Sequence, residues 1–163
     1  MKISAYILTG IILLTIESSL LSLFPVEFFK PDIGMPFIIY TTFFLGPLPG
    51  FVTSIFISIF QEILSNAPHG SIIFTKISIF ILANFLKSKL YIDSKYSFSC
   101  ICGGSTIIES FLFLVLSVLS KGDTSNIMNV MFNAIPNAIF TGFVSIFIFS
   151  LLEYLNMKFL SKA

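Results

Sequence analysis

The stretch that decides the fold reads Gly50-Phe-Val-Thr-Ser-Ile-Phe-Ile-Ser-Ile-Phe-Gln-Glu-Ile-Leu64 and is followed, after Ser65, by Asn66-Ala-Pro-His-Gly70. Gly50, Ser54, Ser58 and Glu62 recur every four residues. On a helix they form one narrow stripe of small and polar groups that ends in a carboxylate. Phe, Ile and Val fill most of the remaining positions. A helix with lipid-like residues outside and small residues along one seam is suited to close packing by another helix, and its terminal carboxylate needs a partner or water.

Outward from that helix the composition agrees. The 163 residues are 56% hydrophobic and only 10% charged, with a mean hydropathy of +1.00. A soluble domain of this size has too little interior to hide so much apolar surface, so the expectation is an integral membrane protein, with residues 1–163 forming one transmembrane helical domain. The net charge of +1 is uninformative, and no basic run points to a nucleic-acid partner. Cys100 and Cys102 form a C-x-C pair without a nearby histidine, which reads as packing rather than as a metal site.

Six apolar runs follow one another. The first, Ile3 to about Phe24, is long enough for the roughly 30 Å hydrocarbon core and carries Glu17; with no small-residue cleavage site evident, it reads as a retained anchor. Pro25-Val-Glu-Phe-Phe-Lys-Pro-Asp32 breaks it. The second run, Ile33 to Leu45, stops at Gly46-Pro-Leu-Pro-Gly50, and the third is the opening helix. Each of these two is short against the roughly 20 residues of a straight span. They form either a thin pair of spans or a re-entrant hairpin, and spans are favoured because flanking Phe and Pro residues extend them to the interface. Further spans are expected over about Ile72–Leu86, Phe98–Leu119 and Ile127–Tyr154. The fold expected is therefore all-α, a bundle of about six transmembrane helices. Lys2, Lys87, Lys89, Lys95, Lys158 and Lys162 fall on one side of such a bundle, against Lys30, Lys121 and Lys76 on the other, which places both termini in the cytoplasm.

Charges inside the apolar runs are few: Glu17, Glu62, Lys76 and Glu109, with His69 at an interface. An intramembrane charge costs a few kcal/mol unless it is paired or hydrated. Glu62 and Lys76 are expected to meet across one hairpin as an ion pair that fixes helix register, with a proton or substrate pathway as the alternative. A single histidine beside one carboxylate makes an incomplete metal shell, so neither metal nor cofactor is expected. For Glu109 the expected companions are Asn133 or Asn137 of the last span, or a protonated state. Pro136 lies between those asparagines and frees a backbone carbonyl one turn earlier, which predicts a bent, polar face turned inward. No nucleophile triad, phosphate loop or dinucleotide fingerprint is present, and the reading is not that of an enzyme.

Several local patterns resemble one family. Lys30-Pro31-Asp32, an apolar run, Gly50 opening a helix that closes on Gln61-Glu62-Ile63-Leu64-Ser65, and a turn ending at Gly70 resemble the rod shape-determining protein MreD family, as does Asn133-Ala-Ile-Pro136-Asn137-Ala-Ile-Phe-Thr141. Glu62 stands where that family usually has aspartate, and Ser54 where it often has a small residue. The resemblance implies a non-enzymatic component of the bacterial inner membrane that binds an MreC-like protein. It also implies association with the cell-wall elongation machinery, namely MreB, RodA and the elongation-specific penicillin-binding protein, within membrane lipid. It further implies a fold similar to the substrate-binding subunits of energy-coupling-factor vitamin transporters, which makes such a subunit the alternative. On this reading Pro31, Asp32, Gly50, Ser54, Ser58, Glu62, Gly70, Lys76, Glu109, Asn133, Pro136 and Asn137 are structural or partner-contact residues.

Overall fold

The computed structural model describes residues 2–23, 32–65, 70–121 and 127–160. Six helices occupy nearly all of them: α1 (Lys2–Leu23), α2 (Gly34–Tyr40), α3 (Pro47–Leu64), α4 (Ser71–Leu86), α5 (Lys95–Lys121) and α6 (Ile127–Leu160). A π-helical segment, Thr41–Leu45, continues α2. No strand occurs among the described residues. The described residues are all-helical, and among them three stretches are long and apolar enough to cross a membrane: Pro47–Leu64, Lys95–Leu116 and Met131–Met157.

The short second run is the centre of the molecule. Every residue from Gly34 to Thr42 is buried, and α2 packs against α1, α3, α4, α5 and α6. Gly34–Leu45 spans 12 residues, about 18 Å at 1.5 Å per residue, well short of a roughly 30 Å core. The expectation that this run forms a thin span is corrected here. It is a half-length segment enclosed by the other helices, so it meets protein where a span would meet lipid. The third run, by contrast, is longer than its sequence suggested, because Pro47 and Pro49 enter the first turn of α3. Proline is tolerated there, where its missing N–H has no intrahelical acceptor.

The turn between these two helices follows from local chemistry. Thr41 Oγ1 donates to the Phe37 carbonyl at 2.8 Å and Thr42 Oγ1 to the Ile38 carbonyl at 2.6 Å, which satisfies two buried hydroxyls. The Gly46 amide reaches back to the Thr41 carbonyl at 3.1 Å, closing the wide π turn. Gly46 has φ +112°, a conformation that side chains resist, and Pro47 follows at once. Lys87, from the end of α4, donates to the Thr42 carbonyl at 3.0 Å and so ties down the end of the central segment.

Packing around α2 is aromatic on one side and small on the other. Tyr40 meets Phe98 and Phe149 edge-to-face, and those two rings tilt against each other at 46°, with centroids 5.0–6.3 Å apart across the group. Gly50 sits so close to the central segment that a Cβ there would lie 2.5 Å from Thr42 Oγ1 and 2.9 Å from Thr42 Cα. The Gly50–Ser54–Ser58 seam is thus buried within the chain. The close packing by another helix expected of this seam is supplied by the π segment and α4. A similar close approach joins α5 to α6, where Ser99 Oγ donates to the Gly142 carbonyl at 2.7 Å.

Candidate functional site

Asp32 enters the bundle immediately before α2. Its Oδ1 accepts the Gly34 and Met35 amides at 2.9 and 3.2 Å, the role of a side chain capping a helix start. The same Oδ1 accepts Gln61 Nε2 from α3 at 2.8 Å. The Asp32 backbone N–H donates to Thr141 Oγ1 of α6 at 3.0 Å. Its Oδ2 forms an ion pair with Lys76 of α4, whose side chain is 2% exposed. Lys76 Nζ also contacts Glu109 Oε1 of α5 at 2.9 Å. One short polar node therefore joins α2, α3, α4, α5 and α6.

Glu17 on α1 lies beside the node. It faces the Ile33 backbone and lies within electrostatic range of Asp32, Lys76 and Glu109. Its Oε2 and the Gln61 Oε1 are both buried and without a hydrogen-bond partner. Burying charge is costly unless the groups are paired and hydrogen-bonded; here one ammonium lies between two carboxyls, and Asp32 gains three further donors.

This arrangement overturns the expected ion pair between Glu62 and Lys76. Glu62 instead holds the start of α4: its Oε1 accepts the Gly70 amide at 2.6 Å and its Oε2 the Ile73 amide at 3.3 Å. The physical reason is that the first amides of a helix have no intrahelical acceptor and favour a carboxylate, while Lys76, more than a turn further on, points into the bundle. Gly70, at φ +85°, makes the left-handed turn into α4. Glu109 likewise takes Lys76 as its partner, where Asn133 or Asn137 was expected. Both asparagines are half-buried on α6, with Pro136 inside that helix. Pro31, His69 and Lys30 lie outside the described residues.

The structure thus gathers Asp32, Lys76 and Glu109, and adds Glu17, Gln61 and Thr141. In the sequence Asp32 reads as the end of the charged, proline-containing break after the first run. The signal for its real place was legible: Asp directly before an apolar run, Ile-Gly-Met-Pro, is an N-terminal cap pattern. No group of three or more His, Cys, Asp or Glu with metal-holding geometry occurs among the described residues. Cys100 is exposed and Cys102 buried, both as free thiols. No protein-family model, no curated protein sequence and no solved structure matches this chain.

Proposed function

We propose that the chain is a non-enzymatic, multi-pass component of the bacterial inner membrane that acts as a scaffold in the cell-elongation (rod) complex. It binds an MreC-like partner and helps organise lateral peptidoglycan synthesis. The observation that carries this reading is the use made of the Asp32 motif: the acidic residue of Lys-Pro-Asp ties five helices together through short polar contacts. A carboxylate consumed in this way fixes a shape, which is what a scaffold offers to its partners. The broad apolar faces of α5 and α6 remain on the outside, with Phe111, Met131, Phe132, Phe143 and Phe147 each more than half exposed. Such faces suit lipid and single-span partner helices alike.

The test is recovery of partners from membranes by affinity purification of the tagged full chain, combined with deletion of its gene. Recovery of an MreC-like protein and loss of rod shape are expected. Recovery of no elongation component, with cell shape intact, sinks the proposal. A second reading, a vitamin-capturing subunit of an energy-coupling-factor transporter, is supported by the six-helix make-up in a chain of 163 residues. It requires a co-purified vitamin, or calorimetric binding of one, which the scaffold reading does not.

A further inference from the structure

We propose that the Glu17–Asp32–Lys76–Glu109 node is a proton-binding site that holds two dissociable protons at neutral pH, one on Glu17 and one on Glu109. The inference concerns this node alone and does not depend on which partners the chain has.

The argument starts from charge. Fully ionised, three carboxylates face one ammonium, leaving two uncompensated negative charges in an enclosed apolar setting, where groups neutralise rather than stay charged. Hydrogen bonding then says which carboxyls neutralise. Asp32 accepts from Gly34, Met35, Gln61 and Lys76, four donors that fix it as the anion and balance it against Lys76. Glu109 contacts the Lys76 ammonium through Oε1 at 2.9 Å, and Asp32 pairs with the same ammonium, so two carboxyls share one cation. Two carboxyls on one cation leave one negative charge over, and Asp32 is already saturated with donors, so Glu109 carries the proton.

Glu17 is fixed by a different observation. Its Oε2 and the Gln61 Oε1 are buried acceptors with no donor. Both side chains lie against the same turn: Glu17 faces the Ile33 backbone, and Gln61 Nε2 is 2.9 Å from the position of a Cβ on Gly34. Protonation turns Glu17 Oε2 into a donor and removes one orphan acceptor. With both protons in place the node is neutral overall, with one ion pair and two carboxylic acids. The groups that face it are Glu17 from α1, Asp32 before α2, Gln61 from α3, Lys76 from α4, Glu109 from α5 and Thr141 from α6, with the Cys102 thiol of α5 further off. A metal ion is disfavoured because Lys76 already occupies the space between Asp32 and Glu109.

Infrared spectroscopy of the full chain in lipid nanodiscs tests the inference directly, because a protonated carboxyl has its own C=O stretching band that shifts on deuterium exchange. At neutral pH the wild type should show this band; E17Q and E109Q should each lose part of it, and the double variant all of it. Glutamine keeps the shape and the neutral charge of the protonated acid, so the variants should fold. A band absent from the wild type, a band retained in the double variant, or a band abolished by sodium at fixed pH would each overturn the proposal. A second readout needs no variant. Because the fold holds protons that the carboxyls of the unfolded chain release, the wild-type Tm should fall as pH rises from the ordinary carboxylate range through neutrality. A wild-type Tm that does not fall there also overturns it.

Discussion

The central segment Gly34–Leu45 and the long helix α6 are both written in apolar residues, yet they meet opposite surroundings. In the first, every residue from Gly34 to Thr42 is buried. In the second, Met128, Met131, Phe132, Ile135, Phe143 and Phe147 all face outward. Hydropathy cannot tell these apart, since lipid and protein interior are equally free of water. What separates them is length and the anchors at each end. The central segment is too short to span, is held by Asp32 at its start, and is tied by Lys87 at its end. α6 is long enough to span and meets the rest of the bundle along one side.

The sharpest way to break this contrast is to remove the cation from the node that seats the central segment. Lys76→Met leaves the mostly enclosed Asp32 without its counter-charge and should cost about 3 kcal/mol, enough for the variant to accumulate poorly in membranes. Denaturant unfolding in detergent measures the loss, and an unfolding midpoint equal to wild type would show that the node does not seat the segment.

Next in size is Gly50→Ala. Its Cβ would lie 2.5 Å from Thr42 Oγ1 and 2.9 Å from Thr42 Cα, so the backbone of the π turn or of α3 has to move. Overpacking of this kind costs about 1–3 kcal/mol. Gly34→Ala is a useful comparison, because its closest neighbours, Ile57 Cγ2 at 2.8 Å and Gln61 Nε2 at 2.9 Å, are side-chain atoms, whereas Gly50 also meets the Thr42 backbone. A Tm drop for Gly50→Ala that exceeds the drop for Gly34→Ala is the expected order.

Smaller again is the effect of Glu62→Ala. It strips the Gly70 and Ile73 amides of their acceptor at the start of α4 and should cost about 1 kcal/mol. Glu62→Gln should recover part of this through its remaining carbonyl oxygen, whereas an ion-pairing role would give no recovery. Thermal unfolding of the two variants side by side separates these roles. Least of all, Phe143→Leu on the outward face of α6 should change stability by less than about 0.5 kcal/mol. A large loss there would mean that α6 is covered by something other than lipid.

Much of the fold was legible in the residues. The apolar runs located all six helices, with the ends of α1 and α4 close to where the pattern placed them. Pro and Gly at 46–50 marked the turn, and the four-residue stripe marked the tightly packed side of α3. The site was legible only in part. Glu17, Lys76 and Glu109 were visible as charges in apolar helices, but their partners were not, because each reaches residues far along the chain. Glu62 was expected to meet Lys76 across one hairpin, when the free amides at the start of α4 lay closer still.

The sequence by itself determined that this chain is built of apolar helices and that a turn falls at 46–50, because hydropathy, proline and glycine act locally. Only the tertiary structure decided that the second run is a buried hub and that Asp32, Lys76 and Glu109 form one node. That decision rests on which helix meets which, and pairing energies between buried charges become large only once the helices have brought them together and excluded water.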